Sequence, residues 1–169
     1  FNVLIVGLGK IGMEYDLNKD KKNFLLSHVK SFASHPNFNI VGVVDTDEKK
    51  CKEYKKIYNK NAFTSLNLAL RTCNPDIVVI STPTDTLTKV FDLIIAKYSP
   101  KIILIEKPIS LNFKEAKKIV EKALTKKIFL FVNYSRRSEP KTNVIKTKIE
   151  NLKTQFNGIV WYSRGIYNG

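Results

Sequence analysis

Four stretches of the chain carry residue types that could do chemistry together: Gly7-Leu8-Gly9-Lys10-Ile11-Gly12, Asp45, Ser81-Thr82-Pro83-Thr84 and Glu106-Lys107-Pro108. The glycines have GxGxxG spacing. In that pattern the first permits a tight turn, the second lets backbone approach a pyrophosphate, and the third lets a helix pack closely on the preceding strand. Orphan N–H groups at the helix start would then face the anion. Asp45 ends an apolar run and is placed to accept hydrogen bonds from adenosine ribose hydroxyls. Its charge would repel a 2′-phosphate, which favours NAD over NADP even though Lys49 and Lys50 lie nearby. Two plainer readings stay open: a flavodoxin-like turn without dinucleotide, and Asp45 as the cap of the next helix.

Ser81 and Thr82 could contact ribose or nicotinamide through backbone and hydroxyl groups, or could simply cap a turn. Lys107 is flanked by Glu106 and Pro108 at the end of an apolar run. Beside a cationic nicotinamide such an amine should lose its proton more easily, which suits proton relay from a substrate hydroxyl. The alternative is a structural ion pair between Lys107 and Glu106.

The elements that must position these residues can be read from the pattern of apolar runs. Strands are expected at Asn2–Val6, Asn39–Val44, Ala62–Phe63, Asp76–Ile80, Lys101–Ile105 and Ile128–Val132. Helices are expected over 25–34, with Leu26, Val29 and Phe32 at core spacing, and from the cap Asp47 to about Tyr58. Further helices should run from the cap Ser65 through Leu70, from Thr84 to about Lys97, and from the cap Asn112 to about Leu124. Short, continuously apolar strands alternating with helices predict a doubly wound parallel α/β sheet of the Rossmann type over residues 1–135. The ligand crevice of such a sheet runs along the carboxyl ends of its strands, where all four stretches fall. The gap from Gly12 to Asp45 exceeds the usual spacing of about 20 residues, and the polar loop 14–23 accounts for the excess. Residues 136–169, with a helix over 141–152 and an alternating strand over 158–167, read as the linker and opening of a second α/β domain cut short.

Composition bounds the partners. The chain has 169 residues, 29 Lys and Arg against 15 Asp and Glu, and a net charge of +14. Most of the excess is Lys spread at helical spacing, with only Arg71, Arg136, Arg137 and Arg164 able to fork onto phosphate; this argues for solvated helix faces and against a nucleic-acid partner. No apolar run approaches the roughly 20 residues of a membrane helix. No export signal is visible, and Cys51 and Cys73 suggest neither a disulfide framework nor a metal site, so a cytoplasmic setting without metal is expected.

GLGKIG, VVDTD, STPTDT, EKPIS and VNYSRRSEP, in this order, resemble the Gfo/Idh/MocA family, the relatives of glucose-fructose oxidoreductase and inositol dehydrogenase. EKP is the most specific element. The resemblance implies an NAD(P)-dependent oxidoreductase acting on a sugar, cyclitol or nucleotide-sugar hydroxyl, with a homo-oligomeric full-length protein. Gly7, Gly9, Lys10, Ile11 and Gly12 match its pyrophosphate turn and Asp45 its ribose acid. Ser81, Thr82, Pro83, Thr84 and Leu87 match the stretch along the nicotinamide half, Glu106 and Lys107 the catalytic strand end, and Arg136 the segment leading out of the domain. Lys107 would be the catalytic lysine, with Lys107–Pro108 often cis. Ser135 and Ser138 depart from the frequent Asn and aromatic, which leaves substrate contacts open. The loop with Tyr15-Asp16 and the later His28 resemble a subset associated with surface polysaccharides, and His28 is expected to pack or cap on a helix. The family's general-base histidine stands four residues from an Asp in a glycine-rich turn and helix expected beyond residue 169, so this stretch alone should bind a dinucleotide yet turn over little. Alternatives within the same fold are NAD-dependent glycoside hydrolysis and a non-catalytic dinucleotide module.

Overall fold

The computed structural model describes residues 1–17 and 25–152, and two compact units divide the chain, Phe1–Asn133 and Tyr134–Gly169. In the first unit six strands form one parallel sheet: β1 (Asn2–Val6), β2 (Asn39–Val44), β3 (Ala62–Phe63), β4 (Ile77–Ile80), β5 (Ile102–Ile105) and β6 (Phe129–Val132). Their order is β3-β2-β1-β4-β5-β6, every neighbouring pair parallel. The direction of winding reverses between β1 and β4, which opens a crevice at their carboxyl ends.

Alternation along each strand feeds two cores. Leu4, Val6, Val78 and Ile80 join the helices α3 (Leu66–Cys73), α4 (Thr84–Lys97) and α5 (Phe113–Thr125) on one face. Val3, Ile5, Ile77 and Val79 face α1 (His28–Ala33) and α2 (Glu48–Tyr58) on the other. A strand buried on both sides must be apolar at every position, which is why these runs do not alternate with polar residues. Cys51 and Tyr54 turn inward from α2 while Lys49, Lys52, Lys55 and Lys56 stay exposed. The lysines of α5 are exposed likewise, so the positive charge of these two helices sits on solvated faces.

Helix starts follow their caps. Asp47, Ser65 and Asn112 each accept a hydrogen bond from the backbone of the first turn, from Lys49, Leu68 and Lys114 respectively. Asp47, not Asp45, caps α2. The helix α3 continues three residues beyond Leu70 to Cys73 and stops where Asn74 adopts a left-handed conformation at φ 42°.

The glycine turn is continued in two pieces. No regular helix follows it directly; one helical turn closes from Met13 and Glu14 N–H to Gly9 O and from Tyr15 N–H to Lys10 O, then passes into a 3-10 turn at Glu14–Asp16. The next two carbonyls are taken by residues far along the chain. His28 N–H donates to Ile11 O at 2.9 Å and Val29 N–H to Gly12 O at 3.0 Å. The helical path begun after Gly9 is thus resumed as α1; residues 18–23 of the loop expected over 14–23 lie outside the described residues. Buried Asp16 holds the seam, accepting from the N–H groups of Leu26 and Ser27 and from the Ser27 hydroxyl. Ser27 caps α1, so the helix begins at His28 and not at Leu25, and Leu26 is left 37% exposed instead of in the core.

In the second unit a 3-10 turn spans Ser135–Ser138 and α6 spans Pro140–Glu150, with Pro140 at the first helical position where its missing N–H costs nothing. The strand expected over 158–167 lies outside the described residues. No helix among the described residues is long and apolar enough to cross a membrane.

Candidate functional site

A cleft of about 930 Å³ lies at the carboxyl ends of the strands, within the first unit. The glycine turn forms its floor. Gly7, at φ 100°, lies so close to β4 that a Cβ there would stand 2.8 Å from the Ser81 carbonyl and 2.9 Å from Thr82 N. A Cβ on Gly12 would overlap the Gly7 carbonyl oxygen. A Cβ on Gly9 would meet nothing within 4 Å, so its bare backbone faces open space. The N–H groups of Gly9, Lys10, Ile11 and Gly12 have no acceptor among the described residues. Gly7, Gly9, Lys10 and Ile11 line the cleft, whereas Gly12 sits behind it as the close-packing position.

Asp45 stands at the edge where β2 ends. One carboxylate oxygen accepts from Leu8 N–H at 2.7 Å and the other from Asp47 N–H at 2.9 Å, which locks the acid to the glycine turn. Each oxygen keeps a further lone pair for a ligand. Beside it, Lys50 pairs with Glu14 at 2.8 Å. That hydrogen bond, aided by Asp45 and Asp47 and opposed by partial burial, holds the Lys50 ammonium above its ordinary range.

At the end of β4 the Ser81 hydroxyl turns inward, 2.8 Å from Gly7 O and 3.1 Å from Val6 O, and ties the strand end to the turn. The Thr82 hydroxyl oxygen is buried without a partner in the cleft wall. Pro83 and Thr84 line the cleft as α4 begins, but Leu87 does not. It is 1% exposed in the core with Phe91 and Ile94, because three residues of helix carry it to the inner face, and Thr86, Val90 and Leu93 line the cleft instead. That phase follows from the i, i+4, i+7 series Leu87, Phe91 and Ile94.

At the end of β5, Lys107 is exposed at the rim, more open to solvent than its flanking residues suggest, and the Lys107–Pro108 peptide is cis. No ion pair joins its ammonium to a described carboxylate. Glu106 is committed elsewhere: Oε1 accepts from His28 Nε2 at 2.8 Å and from Asn133 Nδ2 at 2.6 Å, and Oε2 from Lys107 N–H at 3.3 Å. Burial alone would push the Glu106 carboxyl up, but the donors from His28, Asn133 and Lys107 outweigh it and hold the group below its ordinary value. Sequence reasoning did not find Asn133 and did not connect His28 to Glu106, 78 residues away. The backbone of Arg136 belongs to the Ser135–Ser138 turn, and its side chain lies outside the described residues.

A sequence model of the Gfo/Idh/MocA family, an oxidoreductase family with an NAD-binding Rossmann fold, matches residues 1–134. The chain belongs to this family. It is 22% identical over 148 residues to the myo-inositol 2-dehydrogenase of Thermotoga maritima, covering 87% of this chain and 40% of that protein. Its fold is that of the WlbA dehydrogenase from Bordetella pertussis, solved in complex with NADH and UDP-GlcNAcA, at TM-score 0.74 and 21% identity over 88% of this chain and 39% of the other. A probable dehydrogenase from Thermotoga maritima matches at TM-score 0.74 and 19% identity, over 89% of this chain and 41% of that one. The chain therefore spans about two fifths of the length of these relatives.

Proposed function

We propose that residues 1–135 form the cofactor-binding portion of an NAD-dependent dehydrogenase acting on a hydroxyl of a sugar, cyclitol or nucleotide sugar, and that 136–169 begin its substrate domain. The observation that carries the reading is the run of unpaired amides from Gly9 to Gly12 beside a glycine with open space in front of it, bordered by the Asp45 carboxylate. Converging N–H donors at a turn with a helical segment behind it suit a diphosphate. The residues present fit a dinucleotide on a second count: the orphaned Thr82 hydroxyl in the cleft wall lacks the partner that a ligand group would supply.

In this reading the amides of Gly9, Lys10 and Ile11 hold the diphosphate, Gly12 lets the turn pack closely behind them, and Asp45 accepts from the adenosine ribose hydroxyls. Asp45 and Asp47 disfavour a 2′-phosphate, and Lys50 is already engaged by Glu14, so NAD is preferred over NADP. Thr82, Pro83, Thr84 and Glu106 border the nicotinamide half, Ser81 supports it from behind, and Arg136 serves the passage between domains. When bound, the nicotinamide supplies the hydride acceptor or donor. Lys107 orients the reacting hydroxyl and hydrogen-bonds its oxygen as the proton moves, a role that suits an amine at the cleft rim with no carboxylate on it. The cyclitol and nucleotide-sugar names among the relatives support the substrate class.

Calorimetric titration of the full chain with NAD and NADP tests the reading, run beside Asp45→Ala and Asp45→Asn. Losing the charged acceptor should weaken NAD binding about 10- to 100-fold, on the scale of a hydrogen bond to a charged group. Asp45→Asn keeps an acceptor for Leu8 N–H and separates ribose binding from loosening of the turn. Equal affinity of the unaltered chain for both cofactors would remove the ribose role of Asp45.

A further inference from the structure

We propose that His28 is a positioning residue for Lys107: by occupying the Glu106 carboxylate, it keeps that carboxylate off the Lys107 amine. The inference rests on the proposed role of Lys107 as the amine at the reacting hydroxyl, and on geometry that no part of that proposal uses.

A partly buried carboxylate one residue from an ammonium should pair with it unless other donors satisfy it first. Here they do. Oε1 takes two short hydrogen bonds, from His28 at 2.8 Å and Asn133 at 2.6 Å, while Oε2 takes the Lys107 backbone N–H. The Lys107 main chain is thereby tied down and its ammonium left at the cleft rim. An ionised carboxylate only accepts, so His28 Nε2 carries a proton, and a neutral imidazole is sufficient. Among the described residues, the groups that act on Glu106 include His28, Asn133 and the Lys107 backbone N–H.

The split helix explains why a histidine so far away reaches this point. His28 N–H sits on the Ile11 carbonyl, taking the place the fourth residue of an unbroken helix would hold. Asp16 fixes Ser27 immediately before it. The ring, 7% exposed by residue and stacked against Phe32, meets the end of β5 through Nε2. His28 therefore ties the amide turn to the strand end that bears Lys107. Packing alone would not require a donor aimed at Glu106.

The test is competitive acylation of the full chain, free of nucleotide, with acetic anhydride across pH, read at Lys107 by peptide mass spectrometry. Only the unprotonated amine acylates. His28→Phe keeps a ring and removes the donor; Glu106 should then turn to the ammonium and slow Lys107 acylation about three- to fivefold at fixed pH, the scale of an exposed ion pair. His28→Gln, which retains a donor, should restore the unaltered rate, as should His28→Phe combined with Glu106→Gln, which leaves no charge to pair. Asn133→Ala should slow labelling in the same direction and decides the matter if His28→Phe does not fold. Unchanged Lys107 labelling in a folded His28→Phe chain, or in Asn133→Ala where that chain does not fold, would overturn the proposal, as would slow labelling that persists in the double variant. NAD titration of the same variants is read separately, so failure of cofactor binding and failure of positioning are distinguishable.

Discussion

Gly9 and Gly12, three residues apart in the same motif, should respond to alanine in opposite ways. At Gly9 an added Cβ meets no atom within 4 Å, and the residue is not in the positive-φ region that only Gly7 occupies among the described glycines. Alanine there should leave the fold intact and raise stability by up to about 1 kcal/mol, by narrowing the unfolded ensemble. The same methyl would stand in the open space where the diphosphate is proposed to lie, and should weaken NAD binding by tenfold or more, about 1.4 kcal/mol. At Gly12 the Cβ would overlap the Gly7 carbonyl oxygen and lie 3.0 Å from its carbon and 3.1 Å from Leu8 Cα, all of it backbone. The turn must shift, and with it the carbonyl that receives the Ser81 hydroxyl. A loss of about 1–3 kcal/mol is expected, the scale of overpacking in a tight interior. Urea denaturation followed by circular dichroism measures the first quantity and calorimetric titration the second. Gly9→Ala that unfolds as readily as Gly12→Ala, or that binds NAD undiminished, would refute the assignment of bare backbone to the ligand.

Glu106 predicts the pH dependence of stability. Its folded carboxyl lies below the ordinary value of 4.5, so as pH falls the unfolded chain takes up the proton first. The stabilisation is present above about pH 5 and is lost as pH drops through the folded value. Urea midpoints of Glu106→Gln should therefore fall less steeply between about pH 5 and pH 3 than those of the unaltered chain. Leu87→Ala should cost about 2–5 kcal/mol by opening a cavity against Phe91 and Ile94, yet leave the NAD affinity of the folded chain unchanged, as titration would show.

Much of this protein was legible along the chain because local chemistry decides it. Asp47, Ser65 and Asn112 cap their helices through their own side chains, and the uninterrupted apolar runs of β1, β4 and β5 are what a strand covered on both faces must be. Gly7, Gly9 and Gly12 announce a turn through what they lack, since no side chain could occupy the first and last of those positions without meeting backbone. What failed to show were relations between distant residues. The family resemblance puts Leu87 with the stretch along the nicotinamide half, and helical phase buries it. The helical turn that starts at Gly9 is continued by His28 and Val29, a relation between distant residues that no local pattern carries. The pairing of His28 and Asn133 with Glu106 exists only once α1, β5 and β6 converge at one end of the sheet. Spacing and residue type determine which groups are available, because turns, caps and strands are short-range. Which of them touch, and so whether Lys107 stands free of Glu106, is settled by packing between elements.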